Sequence, residues 1–183
     1  MDESRTIWRG IRRKAVRTPF EGVWQVERPR VLALAARLTG SPDDAEDVAQ
    51  EVAVRALRGW DTFRGEANVR TWLYRITLNL VADRKPASSE PFLAQEEAAI
   101  PRGEQPEEQL LRTEGIPDVR LALDALPAEL RTALVLHVYE ELKCREIADL
   151  LGVPVGTVLS RLHTARKRML ELLKERNATE NAL

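Results

Sequence analysis

Cysteine occurs once, at Cys144, and histidine twice, at His137 and His163. A single thiol forms no internal disulfide, and one Cys with two His is too small a donor set for a structural zinc site. No apolar run approaches the roughly 18 residues of a membrane span. The N-terminal stretch MDESRTIWRGIRRK has no apolar signal core, so a cytosolic location is the expectation. Strict alternation of apolar and polar residues is missing throughout, which excludes half-buried strands. Also missing are a Ser-His-Asp set, a phosphate-binding glycine loop and paired carboxylates in a plausible pocket. No catalytic activity, cofactor or small-molecule substrate is therefore expected.

What is present describes a folded protein. A chain of 183 residues suffices for one ordinary domain or two small ones. Hydrophobic residues make up 44% and charged residues 31%, the balance of a soluble globular chain. The net charge of −1 conceals an uneven distribution. Residues 1–86 hold 16 Lys/Arg against 12 Asp/Glu, 87–118 hold 2 against 8, and 119–183 hold 10 against 9. Two near-neutral or basic blocks flank an acidic segment, so the overall charge does not bear on whether the blocks bind nucleic acid.

A 3.6-residue apolar period recurs along both blocks, giving an all-α expectation. A short helix is expected over Arg5–Val16, ending at Thr18-Pro19. A second covers about Phe20–Leu38, with Val23, Val26, Val31, Leu34, Ala35 and Leu38 inward, and carries Pro29 inside it. Gly40 follows as its C-cap. Ser41-Pro42-Asp43-Asp44 reads as the start of a third helix, to Arg58, with an apolar stripe of Ala45, Val48, Ala49, Val52, Ala53 and Ala56. A fourth spans about Ala67–Arg84, with Val69, Trp72, Leu73, Ile76 and Leu80 inward. Residues 87–117, rich in Pro, Glu, Ala and Ser, read as a flexible acidic linker. Beyond it, helices are expected over Asp118–Ala125, Ala128–Glu140, Cys144–Leu151 and Val155–Leu173, with residues 174–183 as a polar tail.

Three stretches carry chemistry. Gly152-Val153-Pro154 is a tight turn between two helices, the spacing of a helix-turn-helix. Ile147, Ala148, Leu150, Leu151, Val153, Val155, Val158 and Leu162 are placed to hold the crossed pair together. Thr157, Ser160, Arg161, His163, Thr164, Arg166 and Lys167 remain for DNA, with no acid between Val155 and Leu170. DDAEDVAQE, Asp43–Glu51, taken alone reads as a solvated face. If functional, it faces a protein, because acids turn away from DNA. In GWDTFRGEANVRTWLYRITLNLVADR, Phe63, Trp72 and Tyr74 interleave with Arg64, Arg70, Arg75 and Arg84. Such interleaving suits stacking on unpaired bases, and it equally suits a Trp-anchored core. His137 reads as structural, and Cys144 stands at a helix start.

Together and in this order, these stretches resemble the bacterial sigma-70 family, in its small two-domain extracytoplasmic-function (ECF) group. The resemblance covers about residues 5–173. It implies a first domain over 5–86, a linker over 87–117 and a second domain over 118–173. It also implies a transcription initiation factor without catalysis of its own. DDAEDVAQEVAVRAL matches the segment that docks on core RNA polymerase, so Asp44, Asp47, Gln50 and Glu51 are expected at the β′ clamp. WDTFRGEANVRTWLYRITLNLVADR matches the segment that melts and reads the −10 element, bringing in Phe63, Arg64, Trp72, Tyr74, Arg75 and Asn79. An Asn amide both donates and accepts toward the edge of a flipped base. LDALPAELRTALVLHVYEELKCREIADLLGVPVGTVLSRLHTARKRM matches the −35-reading domain, whose other expected partner is the β flap. An anti-sigma protein, often membrane-bound in this family, is the expected control.

The chain also departs from the family pattern. Leu159 stands where Lys or Arg is usual, Thr164 where Arg is frequent, and His163 where a bulky or basic residue is common. Lys143-Cys144-Arg145-Glu146 replaces the usual Ser-Tyr-Glu-Glu helix opening. A rival reading is an autonomous helix-turn-helix repressor or activator, which predicts a dimer on a palindromic site with no need of polymerase. It leaves the Asp43–Glu51 face and the Arg-aromatic segment without a use.

Overall fold

A computed structural model describes residues 19–63, 65, 68–84 and 117–180. The helix expected over 5–16 lies outside the described residues, as does the linker apart from Pro117. Seven α-helices and no strands occur among the described residues. They belong to two compact units.

The first unit contains α1 (Phe20–Thr39), α2 (Pro42–Gly59) and α3 (Val69–Arg84). α2 has Pro42 in its first turn with Asp43 and Asp44 beside it, where a helix N-terminus favours proline and negative charge. Its stripe of Ala45, Val48, Ala49, Val52 and Ala56 is buried and packs against α3, whereas Ala53 is only half-buried. α3 starts two residues later than the sequence pattern suggests because Asn68 caps it: the Arg70 N–H donates to Asn68 Oδ1 at 3.0 Å. Thr77, fully buried, satisfies its hydroxyl by donating to the Leu73 carbonyl at 2.9 Å.

α1 is unbroken across Pro29. Its inward stripe includes Val23, Val31, Leu34 and Ala35, but not Val26. Val26 is exposed, and the inward place beside it is taken by Glu27, whose exposure is 0%. A carboxylate is tolerable there because Arg70 of α3 reaches it with a fork: Nε donates to Oε2 at 3.0 Å and Nη2 to Oε1 at 3.3 Å. The fork ties α1 to α3, and a second pair, Arg28 to Glu46 at 2.9 Å, ties α1 to α2 at the surface. The exposed pair contributes less than about 1 kcal/mol.

The second unit contains α4 (Pro117–Asp124), α5 (Ala128–Val138), α6 (Cys144–Leu151) and α7 (Val155–Glu180). α4, α5 and α6 all pack on α7. α7 passes through the expected tail as far as Glu180. The stretch LELLKERNATE contains neither Pro nor Gly and is rich in helix formers, so nothing local stops it. Arg131 closes the turn between α4 and α5 by donating to the carbonyls of Asp124 and Leu126. Burial pushes its guanidinium below the usual range and the nearby Asp124 carboxylate opposes that shift. It remains a cation at neutral pH.

The link between α5 and α6 is held by the expected structural histidine. His137 Nδ1–H donates to the Leu142 carbonyl at 3.0 Å, and the Leu142 N–H donates to the Leu136 carbonyl at 3.1 Å. Between them Glu141 takes a left-handed φ of 55°. Lys143 then precedes α6 without a side-chain cap of its own, and the Glu146 carboxylate accepts its N–H at 2.8 Å. The reciprocal half of a capping box is missing because Lys has no acceptor.

Two predictions follow from this packing. Arg70→Ala strands a fully buried carboxylate and should destabilise the protein by about 3 kcal/mol in urea unfolding. Glu27→Ala leaves a guanidinium that reaches water and should cost clearly less, so the two variants differ in a fixed order. Lys143→Ser supplies the absent cap acceptor and should stabilise by about 1 kcal/mol in the same assay.

Candidate nucleic-acid interface

In the second unit the α6–α7 turn is built by its backbone. Gly152 has φ +68°, and no atom lies within 4 Å of where its Cβ would stand. Conformation rather than crowding is what asks for glycine there. The Val153 N–H donates to the Ala148 carbonyl at 3.1 Å and the Thr157 N–H to the Pro154 carbonyl at 3.0 Å. This closes α6 and opens α7 within three residues.

Val158, Leu162, Ala165 and Met169 of α7 are buried, together with Ile147, Ala148 and Leu150 of α6. The 4-3-4 spacing along α7 points one stripe inward and fixes what the rest of the helix presents. Ser160, His163 and Lys167 are exposed, as the sequence pattern predicts. Thr157, Arg161, Thr164 and Arg166 are half-buried on the flanks, and Arg166 is engaged within the chain. Val155, expected in the crossing core, is 39% exposed: it is the first residue of α7, and its phase puts it at the edge of the inward stripe. Sequence reasoning overlooked Val155 and Gly156 as surface residues and noted Leu159 only as a departure. All three are exposed. The 3.6-residue phase around Val158 is a signal that places Gly156 outward and Leu159 at the side of the stripe, whereas Val155 is exposed as the first residue of the helix.

In the first unit the aromatic residues form a chain. Phe20 stacks on Trp24 (6.0 Å) and contacts Trp60 (5.6 Å). Trp60 stacks on Phe63 (5.6 Å), and Phe63 stacks on Trp72 (4.8 Å). Trp72 lies so close to Gly59 that a Cβ there would sit 3.1 Å from its Cζ2. Phe63 and Trp72 are half-buried, each covering part of the other's ring. Trp60 was not singled out by spacing, because it falls at the end of α2 rather than on the stripe of α3.

Tyr74 is corrected. It is 1% exposed and among the largest fully buried side chains, so its ring belongs to the core and not to a DNA-contacting surface. The phase of α3 explains this: Val69, Leu73, Tyr74, Thr77, Leu80 and Val81 point inward. Trp72, Arg75 and Asn79, at spacings of three and four, share another side, with Arg75 and Asn79 exposed and Trp72 half-buried. Arg64 lies outside the described residues.

On α2, Asp44, Asp47 and Gln50 are exposed. Glu51 is half-buried and already paired with Arg55, whose Nε donates to Oε1 at 2.8 Å. The face continues into exposed Val54 and Leu57, which sequence reasoning overlooked. Asp47, Gln50, Val54 and Leu57 fall on one side by helical spacing, acidic and polar at one end and apolar at the other. Among the described residues no group of three His, Cys, Asp or Glu side chains converges as a metal site, and no helix is long and apolar enough to cross a membrane.

The two glycines of the helix-turn-helix should respond in opposite directions. Gly152→Ala forces a left-handed φ on a side chain and should cost about 1 kcal/mol. Gly156, in helical conformation with open space around it, should gain up to about 0.5 kcal/mol as Ala. Thermal unfolding of the two variants beside the parent chain measures both.

Residues 24–87 match the profile of Sigma-70 region 2, and residues 117–169 match that of Sigma-70 region 4. The RNA polymerase sigma-H factor of Pseudomonas aeruginosa is 38% identical over 163 residues, covering 80% of this chain and 83% of its own. The ECF RNA polymerase sigma-E factor of Escherichia coli is 37% identical over 149 residues, 75% of this chain and 78% of its own. The ECF RNA polymerase sigma factor SigW of Bacillus subtilis is 29% identical over 89% of this chain and 93% of its own. Among solved structures, the sigma factor RpoE of Bartonella quintana, crystallised with the anti-sigma factor NepR, aligns with a TM-score of 0.65 at 27% identity, covering 85% of this chain and 96% of that one. CnrH, solved in complex with the cytosolic domain of CnrY, aligns at 0.60 and 27%, covering 85% and 88%. With both of its helical units matched and relatives above 35% identity over three quarters or more of each chain, this chain belongs to the sigma-70 family as an ECF sigma factor.

Proposed function

We propose that the exposed faces described above divide the work of promoter-directed initiation among three helices. The α2 face of Asp44, Asp47 and Gln50, extended by Val54 and Leu57, docks on the β′ clamp of core RNA polymerase. Acid-to-apolar polarity along one helix suits a protein partner better than DNA, whose phosphates repel the acids. Glu51 contributes there only by giving up its bond to Arg55, an exchange worth a few tenths of a kcal/mol. On α3, Arg75 meets the backbone and Asn79 a base edge of the opened −10 element, with the half-buried Phe63–Trp72 pair adding stacking surface. α7 enters the major groove at −35, Ser160 and His163 toward base edges and Arg161 and Lys167 toward phosphates. The polymerase, through its β flap, positions this second unit.

The observation that supports this reading most directly is the pairing in one chain of the two Sigma-70 regions, each with its own outward face. An anti-sigma protein is the proposed regulator, since the similar sigma factor RpoE of Bartonella quintana was crystallised with the anti-sigma factor NepR. Location in the cytoplasm follows from the same role, because promoters and polymerase are there.

Run-off transcription with purified core polymerase, this chain and a genomic fragment library tests the role. Discrete transcripts requiring both components are expected. Asp47→Ala with Gln50→Ala should weaken binding to core polymerase at least tenfold without lowering the unfolding midpoint, and unchanged transcription by this variant would remove the α2 face from the proposal. The isolated chain should bind duplex promoter weakly. With the two phosphate contacts of Arg161 and Lys167, its log–log dependence on salt should have a slope of about −2, at roughly −0.9 per contact.

A further inference from the structure

The groove-facing side of α7 is not uniformly polar. Val155 is 39% exposed and Leu159 38% exposed, and their i, i+4 spacing makes them neighbours on one face. Neither contributes to the inward stripe of Val158, Leu162, Ala165 and Met169. Gly156 lies between them without a side chain, and the space where its Cβ would stand is empty. Ser160 and His163 are exposed on the next turn, and Lys167 on the turn after. An aliphatic patch thus occupies the first turns of the helix, followed by cationic and hydroxyl groups, with no acid along the helix from Val155 to Leu170.

B-DNA offers one apolar group to a helix in its major groove: the 5-methyl of thymine. A Lys or Arg at position 159 would seek guanine O6 and N7 or a phosphate, whereas Leu cannot satisfy either acceptor and leaves them to water. Four residues of helix rise by about 6 Å, close to two base-pair steps of about 3.4 Å. The two side chains therefore reach pairs at most a step or two apart. The absence of a side chain at Gly156 lets the helix come close enough for methyl contact, and the basic groups farther along supply attraction to the flanking phosphates.

We propose that Val155 and Leu159 read thymine 5-methyl groups, making this chain select A·T pairs at the positions of the −35 element facing the start of α7. The proposal rests on the assignment of α7 to −35. It replaces charge-based readout at that place by apolar contact, so discrimination there depends on a methyl group rather than on a hydrogen bond.

Deoxyuridine, which lacks only the methyl, is the probe. Holoenzyme reconstituted from core polymerase and the full chain is first shown to transcribe from a promoter obtained by run-off selection. Each thymine of the −35 element, on both strands, is then replaced in turn by deoxyuridine, and promoter occupancy is measured by competition. One or two replacements should weaken occupancy about fourfold each, the value of one buried methyl. With Leu159→Ala or Val155→Ala, exposed positions whose truncation leaves the core intact, the penalty at the matching thymine should fall below twofold. This double-mutant cycle ties the methyl to the side chain. Deoxyuridine tolerated at every position, a penalty unchanged in both alanine variants, or a selected element with only G·C pairs at these positions would overturn the proposal and leave the patch to a protein partner. Absence of any polymerase-dependent transcript is a different result, which would overturn the sigma assignment itself before the methyl test begins.

Discussion

The burial of one stripe of α7 governs the second unit. Val158, Leu162, Ala165 and Met169 anchor α4, α5 and α6 to a single helix, so the helix that faces outward is also the core of its own domain. A helix built this way cannot be retuned freely: side chains on the inward phase are set by packing, and only positions on the other phases are open to change. The departures from the family pattern at 159, 163 and 164 all fall on those open phases. Specificity can drift there without touching the fold.

The first unit solves a different problem. Its helices are held by small residues, Ala45, Ala49 and Ala56, which let α2 approach its neighbours closely but bury little area each. The Glu27–Arg70 fork adds direction to that packing. Its planar geometry fixes how α1 and α3 face each other more strictly than apolar contact alone. The aromatic chain from Phe20 to Trp72 fills the space left at the end of α2, where Gly59 gives way to an indole. The end of α2 and the start of α3 are held to one another by these rings.

Much of this was legible in the sequence. Cys144–Leu151 emerges at its observed bounds, its end marked by the Gly152-Val153-Pro154 turn. The helix-turn-helix and the α2 stripe follow from spacing alone. What escaped did so for reasons of pairing. Val26 is apolar and Glu27 charged, so hydropathy places them the wrong way round, and only the long-range partner Arg70 inverts the order. Tyr74 and Trp72 are two residues apart, and composition cannot say which faces inward until the phase of α3 is fixed by Val69 and Leu73. Val155 reads as core for its chemistry and is surface because it starts the helix, where its own turn is not yet covered. The helical continuation to Glu180 was missed because polarity suggested a tail, although helix propensity pointed the other way.

The aromatic chain has an optical consequence. Trp24, Trp60 and Trp72 all belong to the first unit, the fourth tryptophan is Trp8, and the second unit contains none. Indole emission from this protein therefore reports on its N-terminal half, with the three clustered rings close enough to exchange excitation. The second unit is nearly dark at those wavelengths, with Tyr139 as its one phenol. The two halves of the molecule can thus be followed separately in solution without any label: the first by its own light, the second by placing a single tryptophan where none competes.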